Sequence, residues 1–392
     1  MAFKSGRHFL QIPGPTNVPQ RVLRALSRST IDHRGPEFAK LTLEVLAGLQ
    51  RIFQTSGPVV IYPSSGTGAW EAALANTLSA GDKVLMFETG HFATLWRNMA
   101  ASLGLEVDFV PTDWRHGVDP GVVEEKLVED REHRIKSVMA VHNETSTGVT
   151  SRIPLIREAM DRAKHPALLM VDTISSLASI EYQHEQWGVD VTVGCSQKGL
   201  MLPPGLGLNA ISEKALHASG SAKLPRSFWD WQTMLTANKQ GFFPYTPATN
   251  LLYGLQQAIQ MLEEEGLQNV FKRHDRHAEA TRRAVHAWGL EVLCADPAEY
   301  SSSLTAVMMP EGFDADKLLA LILKKFDMCL GIGLGKVKGR IFRIGHLGYF
   351  NDLMLAGTLS GLEMGLSLAG IPFSKGGVAE ALDYLEGTLK GS

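Results

Sequence analysis

Two residues in this sequence suit covalent chemistry with a carbonyl compound. Lys198 follows the apolar run Asp190-Val191-Thr192-Val193-Gly194-Cys195 and a Ser196-Gln197 pair, and it precedes a Pro/Gly-rich stretch from Gly199 to Gly207. A loop of that composition has no helix face against which to hide an amine, so the lysine is presented from the end of a strand. Asp172 closes a second apolar run, Ala167-Leu168-Leu169-Met170-Val171. A lysine and a carboxylate at the ends of apolar strands meet the needs of pyridoxal phosphate (PLP) chemistry. The amine forms a Schiff base with the aldehyde, and the carboxylate keeps the pyridine nitrogen protonated. Taken singly, each has a plainer reading, as a surface lysine and a helix-capping aspartate. The weight therefore falls on the rest of the chain.

A phosphate needs a cradle, and the sequence offers one. The strand Val59-Val60-Ile61-Tyr62 runs into the loop Pro63-Ser64-Ser65-Gly66-Thr67-Gly68-Ala69 and then a helix, with Trp70, Ala73, Leu74, Thr77 and Leu78 on one face. Small residues let backbone N–H groups approach phosphate oxygens, and the helix N-terminus adds a favourable field. Gly66 and Gly68 start a dinucleotide-like fingerprint, but Glu71 stands where its third glycine belongs. The pattern says phosphate without saying which cofactor. Near-continuous apolar strands alternate with helices predicted from about Thr94, Pro120 and Ile153, which argues for a mostly parallel α/β sheet covered on both faces. In such sheets ligands sit at the carboxyl ends of the strands. The cradle, Thr145 (after the run Ser137–His142), Asp172 and Lys198 all fall there.

Beyond Asn209 the pattern changes. Two aromatic loops, around Phe228-Trp229 and Phe242 to Thr246, lead to long helices over about 251–264 and 269–288 that join a large domain to a smaller α+β unit. This divides the chain into an extended arm (1–20), a large domain (21–265) and a small C-terminal domain (266–392). In the small domain, Arg343 lies between Phe342 and Ile344 on a half-buried strand and must find an anion, either a ligand or a core carboxylate. In the Thr30 to Pro36 segment, His33 and Arg34 suit an anionic ligand or solvent equally. His142 and His346 read as hydrogen-bonded structural histidines, Trp70 and Trp187 as core, and the charged run Lys272 to Arg283 as a solvated helix face.

The chain has 392 residues, 44% apolar and 20% charged, with a net charge of −3. That is ordinary for a globular protein and leaves no polybasic footprint for nucleic acid or anionic membranes. No run approaches the roughly 20 apolar residues of a membrane span. The cysteines, Cys195, Cys294 and Cys329, are too scattered for a disulfide framework or metal cluster, and no metal is expected. The start, Met1 to His8, lacks the apolar core of a signal peptide, and the end, Leu389-Lys390-Gly391-Ser392, is not a peroxisomal address. Cytoplasm is the expected compartment.

With Ser65-Gly66-Thr67-Gly68, Asp172, Ser196-Gln197-Lys198 and Arg343-Ile344-Gly345 assembled, the chain resembles the class V, fold type I PLP aminotransferases. More narrowly, it resembles the alanine/serine–glyoxylate aminotransferases, through His142-Asn143-Glu144-Thr145, Glu185-Gln186-Trp187-Gly188-Val189-Asp190 and Arg343-Ile344-Gly345-His346-Leu347-Gly348. The resemblance runs from Pro13-Gly14-Pro15 to Arg343. It implies a mostly parallel seven-stranded sheet in the large domain. It makes Lys198 the Schiff-base lysine and Asp172 the partner of the pyridine nitrogen. It gives Thr145 and Gln197 to the ring hydroxyl, Phe92 to stacking on the ring (some relatives carry tryptophan), and Ser65, Gly66, Thr67, Gly68 and Ile174 to the cofactor pocket. Tyr245 and Thr246 resemble residues that reach the phosphate of a neighbouring subunit, implying a homodimer, with a tetramer also open. Arg343 resembles the clamp for the substrate α-carboxylate, Gly14 lies beside that substrate, and Arg34 is a further candidate. Ala69 departs from relatives with histidine at that position.

The implied reaction is transamination from an L-amino acid to glyoxylate, with L-serine the first choice of donor. L-Aspartate (or 3-hydroxyaspartate) is the second, needing an extra cation such as Arg34 or His33, and alanine is the third. Two other classes are weaker. A desulfurase or other lyase needs a mobile, exposed cysteine, whereas Cys195 and Cys329 read as structural. A nicotinamide dehydrogenase needs the glycine that Glu71 replaces.

Overall fold

Strands apolar on both faces require cover on both sides, and that requirement shapes the larger part of the molecule. The computed structural model describes residues 6–390. Met1 to Ser5 and Gly391-Ser392, which belong to the stretches read above for targeting signals, lie outside them. Seven strands form one sheet in the order Val59–Tyr62, Gly207–Ile211, Val191–Cys195, Leu168–Asp172, Ile135–Val141, Lys83–Phe87, Glu106–Val110. All run parallel except Gly207–Ile211, which is antiparallel to both neighbours. This is the α/β fold expected, with its seven strands. Because Leu168–Asp172 and Val191–Cys195 are adjacent and parallel, their carboxyl ends meet on one side. Asp172 and Lys198 are thereby neighbours.

The cradle differs in detail from the sequence expectation. Gly66, Thr67 and Gly68 belong to the first turn of the helix Gly66–Thr77 instead of a loop before it. That helix is buried on nearly every side, from Ala69 and Trp70 through Ala72 to Thr77, so its single predicted apolar face understates its packing. The helix predicted from Thr94 begins three residues earlier and spans His91–Ser102. Its start is set by a distant group. The Glu144 carboxylate, 52 residues on, accepts the backbone N–H of Phe92 at 3.3 Å, and it accepts that of Ala93 at 3.0 Å. A carboxylate there satisfies first-turn donors and complements the helix dipole.

The arm is not free-standing. Phe9–Gln11 adds an edge strand, parallel to Met328–Ile332, to a second sheet completed by Ile341–Gly345 and Leu304–Met308. Neither Phe9–Gln11 nor Met328–Ile332 has a periodicity long enough to announce it. The helix Leu267–Ala287 spans both units: Val270 packs in the core beneath the large sheet, while Ala280, Ala284 and Val285 pack in the core of the small one.

Leu74, fully buried in the helix Gly66–Thr77, tests whether this helix is the keystone. Leu74→Ala is expected to destabilise the protein by about 2–5 kcal/mol, read as a lower urea midpoint at unchanged slope.

Candidate active site

The arm, the helices Gly66–Thr77 and His91–Ser102 and the ends of three sheet strands converge on a cavity of about 180 Å³ whose lining includes Gly14, Ser65, Gly66, Thr67, Phe92, Thr145, Asp172, Ile174, Gln197 and Lys198. Larger clefts exist, one of about 680 Å³ beside Gln50 and Trp231, but its lining holds no carboxylate.

Lys198 is buried, and its Nζ donates to the Pro13 carbonyl. Desolvation, reinforced by the nearby Arg343 charge, brings the amine down to about 8. An amine so placed is neutral for an appreciable fraction of the time near neutral pH. The arm holds it there: Thr16 Oγ1 donates to the Lys198 carbonyl at 3.0 Å, and Thr16 N donates to that of Gln197 at 3.1 Å. Gly14 has φ +87°, and a methyl group on it would sit 2.8 Å from Lys198 Nζ. Only glycine meets both demands.

Asp172 is pushed up to about 7 by burial, against which the backbone N–H of Ile174 works; the charge of Glu144 raises it further. Ile174 N donates to Oδ1 at 2.6 Å and Trp70 Nε1 donates to Oδ2 at 3.0 Å. Sequence reasoning gave Trp70 to the core. It is core, and it also lines the cavity and holds the carboxylate. A buried indole N–H usually finds an acceptor, but which acceptor is a tertiary fact that the sequence does not carry.

Ser65 caps its helix with no side-chain bond; Ser65, Gly66 and Thr67 line the cavity, and Gly68 does not. Here the glycines answer to packing as well as to a ligand: a methyl group at Gly66 would lie 2.7 Å from Ile174 Cγ1, and one at Gly68 2.8 Å from Trp229 Cη2. Thr145 donates to Ser175 Oγ at 2.8 Å, and Asn143 Nδ2 donates to the same oxygen at 2.8 Å. Gln197 Oε1 is buried and has no partner.

Arg343 comes from the small sheet. Its Nε donates to Ile332 O at 2.8 Å and its Nη1 to Thr145 O at 2.7 Å. Among the described residues it has no ion-pair partner; the buried carboxylate whose charge reaches it, Glu144, is not in direct contact. Burial lowers it to about 10, and Glu144 opposes this.

Not every candidate gathers here. Arg34 is exposed, and neither it nor His33 is among the lining residues. Tyr245 stacks on Phe228, centroids 4.4 Å apart, and Thr246 is exposed; both lie outside this cavity. His142, bonded to Ser176 Oγ at 2.9 Å, and His346, bonded to Thr305 Oγ1 at 3.0 Å, are each held down to about 3 by burial. Neither serves as a base at neutral pH. The Glu144 carboxylate, quoted within a motif but given no role, caps the helix that carries Phe92.

Residues 8–334 match the family described as Aminotransferase class-V. The chain belongs to that family. It is similar to serine–glyoxylate aminotransferase of Methylorubrum extorquens, 46% identical over 389 residues that cover 97% of each chain. It is nearly as similar to L-aspartate–glyoxylate aminotransferase of Paracoccus denitrificans, 45% identical over 379 residues and 96% of each chain. Among solved structures, pyridoxamine–pyruvate aminotransferase of Mesorhizobium loti has a TM-score of 0.92 at 27% identity, with 98% of both chains covered. The cofactor of a class-V aminotransferase is PLP, and the residues present fit it. The uncapped helix start suits a phosphate, the buried Asp172 a protonated ring nitrogen, and the unpartnered Gln197 oxygen a ring hydroxyl.

Gly14→Ala tests the contact between arm and lysine in this class-V aminotransferase. The variant is expected to remain folded but to lose at least tenfold in transamination rate, since displacing a reacting group by about 1 Å costs up to a hundredfold.

Proposed function

We propose that the protein transfers the amino group of an L-amino acid, L-serine in first place, to glyoxylate, giving hydroxypyruvate and glycine by a ping-pong cycle. The observation that carries the substrate class is Arg343. Its guanidinium is buried, bonded only to carbonyls and without an ion-pair partner among the described residues, Glu144 acting on it only from farther off. Its charge is close enough to depress Lys198. A buried cation in that state calls for an anion, and every amino and keto acid carries one. L-Serine is supported by full-length similarity to the Methylorubrum enzyme. L-Aspartate is the second reading, supported by nearly equal similarity to the Paracoccus enzyme.

When bound, PLP supplies an aldehyde for amine exchange and an electron-poor ring that takes up the electron pair released at the substrate α-carbon. Lys198 Nζ, desolvated and neutral for part of the time, would be the base that takes and holds the substrate α-proton. Asp172 accepts a hydrogen bond from the ring nitrogen, and its burial keeps competing water away. The first turn of Gly66–Thr77 binds the phosphate through Ser65, Gly66, Thr67 and Gly68. Thr145 and Gln197 orient the ring hydroxyl, Phe92 and Ile174 enclose the ring, and Gly14 leaves room for substrate beside Lys198. Arg343 fixes the carboxylate and so sets the substrate class more than the side chain.

The same reading includes a homodimer, possibly a tetramer. Tyr245 and Thr246 lie outside their own cavity and would serve the phosphate of a second copy; Arg34 belongs with them as a substrate contact across that interface. It also includes the division into arm, large domain to about residue 265 and small domain from 266. No helix among the described residues is long and apolar enough to cross a membrane. Three unpaired cysteines support a cytoplasmic setting. The same cysteines weigh against desulfurase chemistry, because burial raises Cys195 and Cys294 to about 12 and Cys329 is also raised.

Two measurements test this. In single half-reactions without glyoxylate, L-serine is expected to discharge the lysine-bound cofactor absorbance faster than L-aspartate or L-alanine, yielding hydroxypyruvate. Faster loss with aspartate, yielding oxaloacetate, moves the donor and leaves the cofactor residues in place. Arg343→Ala is expected to raise KM for amino and keto acids by on the order of a hundredfold, with PLP affinity retained; unchanged KM would return Arg343 to a structural role.

A further inference from the structure

Trp70 and Trp96 lie side by side in the core, ring centroids 5.8 Å apart and planes 14° from parallel. Trp96 leaves its Nε1 without a partner. Trp70 aims its own at Asp172 Oδ2, 3.0 Å away. Among the described residues, no lysine, arginine or histidine lies within ion-pair distance of Asp172. The ionisable groups that face it are Glu144, which opposes its charge, Lys198, which favours it, and the Cys195 thiol. Two neutral donors, Trp70 Nε1 and Ile174 N, therefore stabilise the carboxylate directly. Trp70 also lies on the helix whose first turn is Gly66, Thr67 and Gly68, so one rigid element holds both the cradle and the donor.

We propose that Trp70 is a positioning residue for the cofactor: its indole N–H fixes Asp172 so that the carboxylate's free lone pairs face the cavity and accept from the ring nitrogen. This rests on the PLP reading above. One consequence has a definite sign. Without the donor, Asp172 takes up its proton at higher pH, and a protonated carboxyl no longer offers the ring N–H a charged acceptor. Cofactor affinity in such a variant is least affected at high pH and falls as pH is lowered.

The test replaces Trp70 with β-(3-benzothienyl)alanine, which keeps the ring shape and puts sulfur in place of N–H, alongside Trp70→Phe. PLP dissociation constants and the pH dependence of bound-cofactor absorbance are measured for both variants and the native protein. The benzothienyl variant is expected to bind PLP about tenfold more weakly at neutral pH, with its absorbance midpoint about one pH unit higher. Native affinity and profile in that variant would overturn the proposal, whether Trp70→Phe is normal or impaired, because a defect confined to phenylalanine reports lost volume. Failure of the native protein to take up PLP would strike the functional reading itself, and the proposal with it.

Discussion

An aspartate carboxylate and a lysine amine lie together out of water, and neither is at ease there. Burial drives Asp172 up to about 7 and Lys198 down to about 8, so each is pressed toward its neutral form. Desolvation of this kind is unfavourable unless fixed dipoles replace the lost water. Those dipoles come from elsewhere in the fold: an indole and a backbone N–H for Asp172, the Pro13 carbonyl for Lys198. The parallel pairing of Leu168–Asp172 with Val191–Cys195 creates the juxtaposition, and the surrounding elements make it tolerable.

The arm is the clearest case. Phe9–Gln11 is tied into the small sheet, and a few residues later Thr16 is bonded to the loop that carries Lys198. Between these anchors, Pro13 supplies the carbonyl that holds the amine, and Gly14 gives the amine room. Nearby, a methyl group at Gly345 would collide with the Ile12 backbone, 2.8 Å from Pro13 N. Arg343, two residues before, donates across to Thr145 of the large unit. The arm, the large sheet and the small sheet thus meet around one amine.

The placement of Asp172 and Arg343 on apolar strands, and of Lys198 just past the end of one, was legible in the sequence, because a charged residue there has a short list of uses. The mostly parallel α/β sheet was legible for a related reason, since apolar runs of that length need cover on both faces; its count of seven strands came with the family resemblance. What escaped depends on contacts between distant segments. The helix at His91 starts where Glu144 caps it, and no local signal near Thr94 says so. Phe9–Gln11 is three residues long, too short for a period to show. Trp70 fits an apolar helix face, and its second duty appears only when Asp172 arrives from a strand 102 positions away.

Donor choice is illegible for a different physical reason. A buried arginine that reads a carboxylate reads the part all amino acids share, so in the role proposed for it Arg343 would separate substrates by class only. Discrimination between a hydroxymethyl and a carboxymethyl side chain must come from groups on the opposite side of the substrate, where a second cation would favour aspartate. In one chain the candidates for that duty, Arg34 and His33, lie outside the cavity, and Arg34 is exposed. If a second copy brings them in, the energetic difference between serine and aspartate is set at an interface and by the placement of one charge. Two enzymes that share nearly half of this sequence yet bear different donors in their names are what such a division of labour produces. Strands and a helix start position the residues proposed to hold the cofactor, and donor choice falls to residues that no strand pattern constrains.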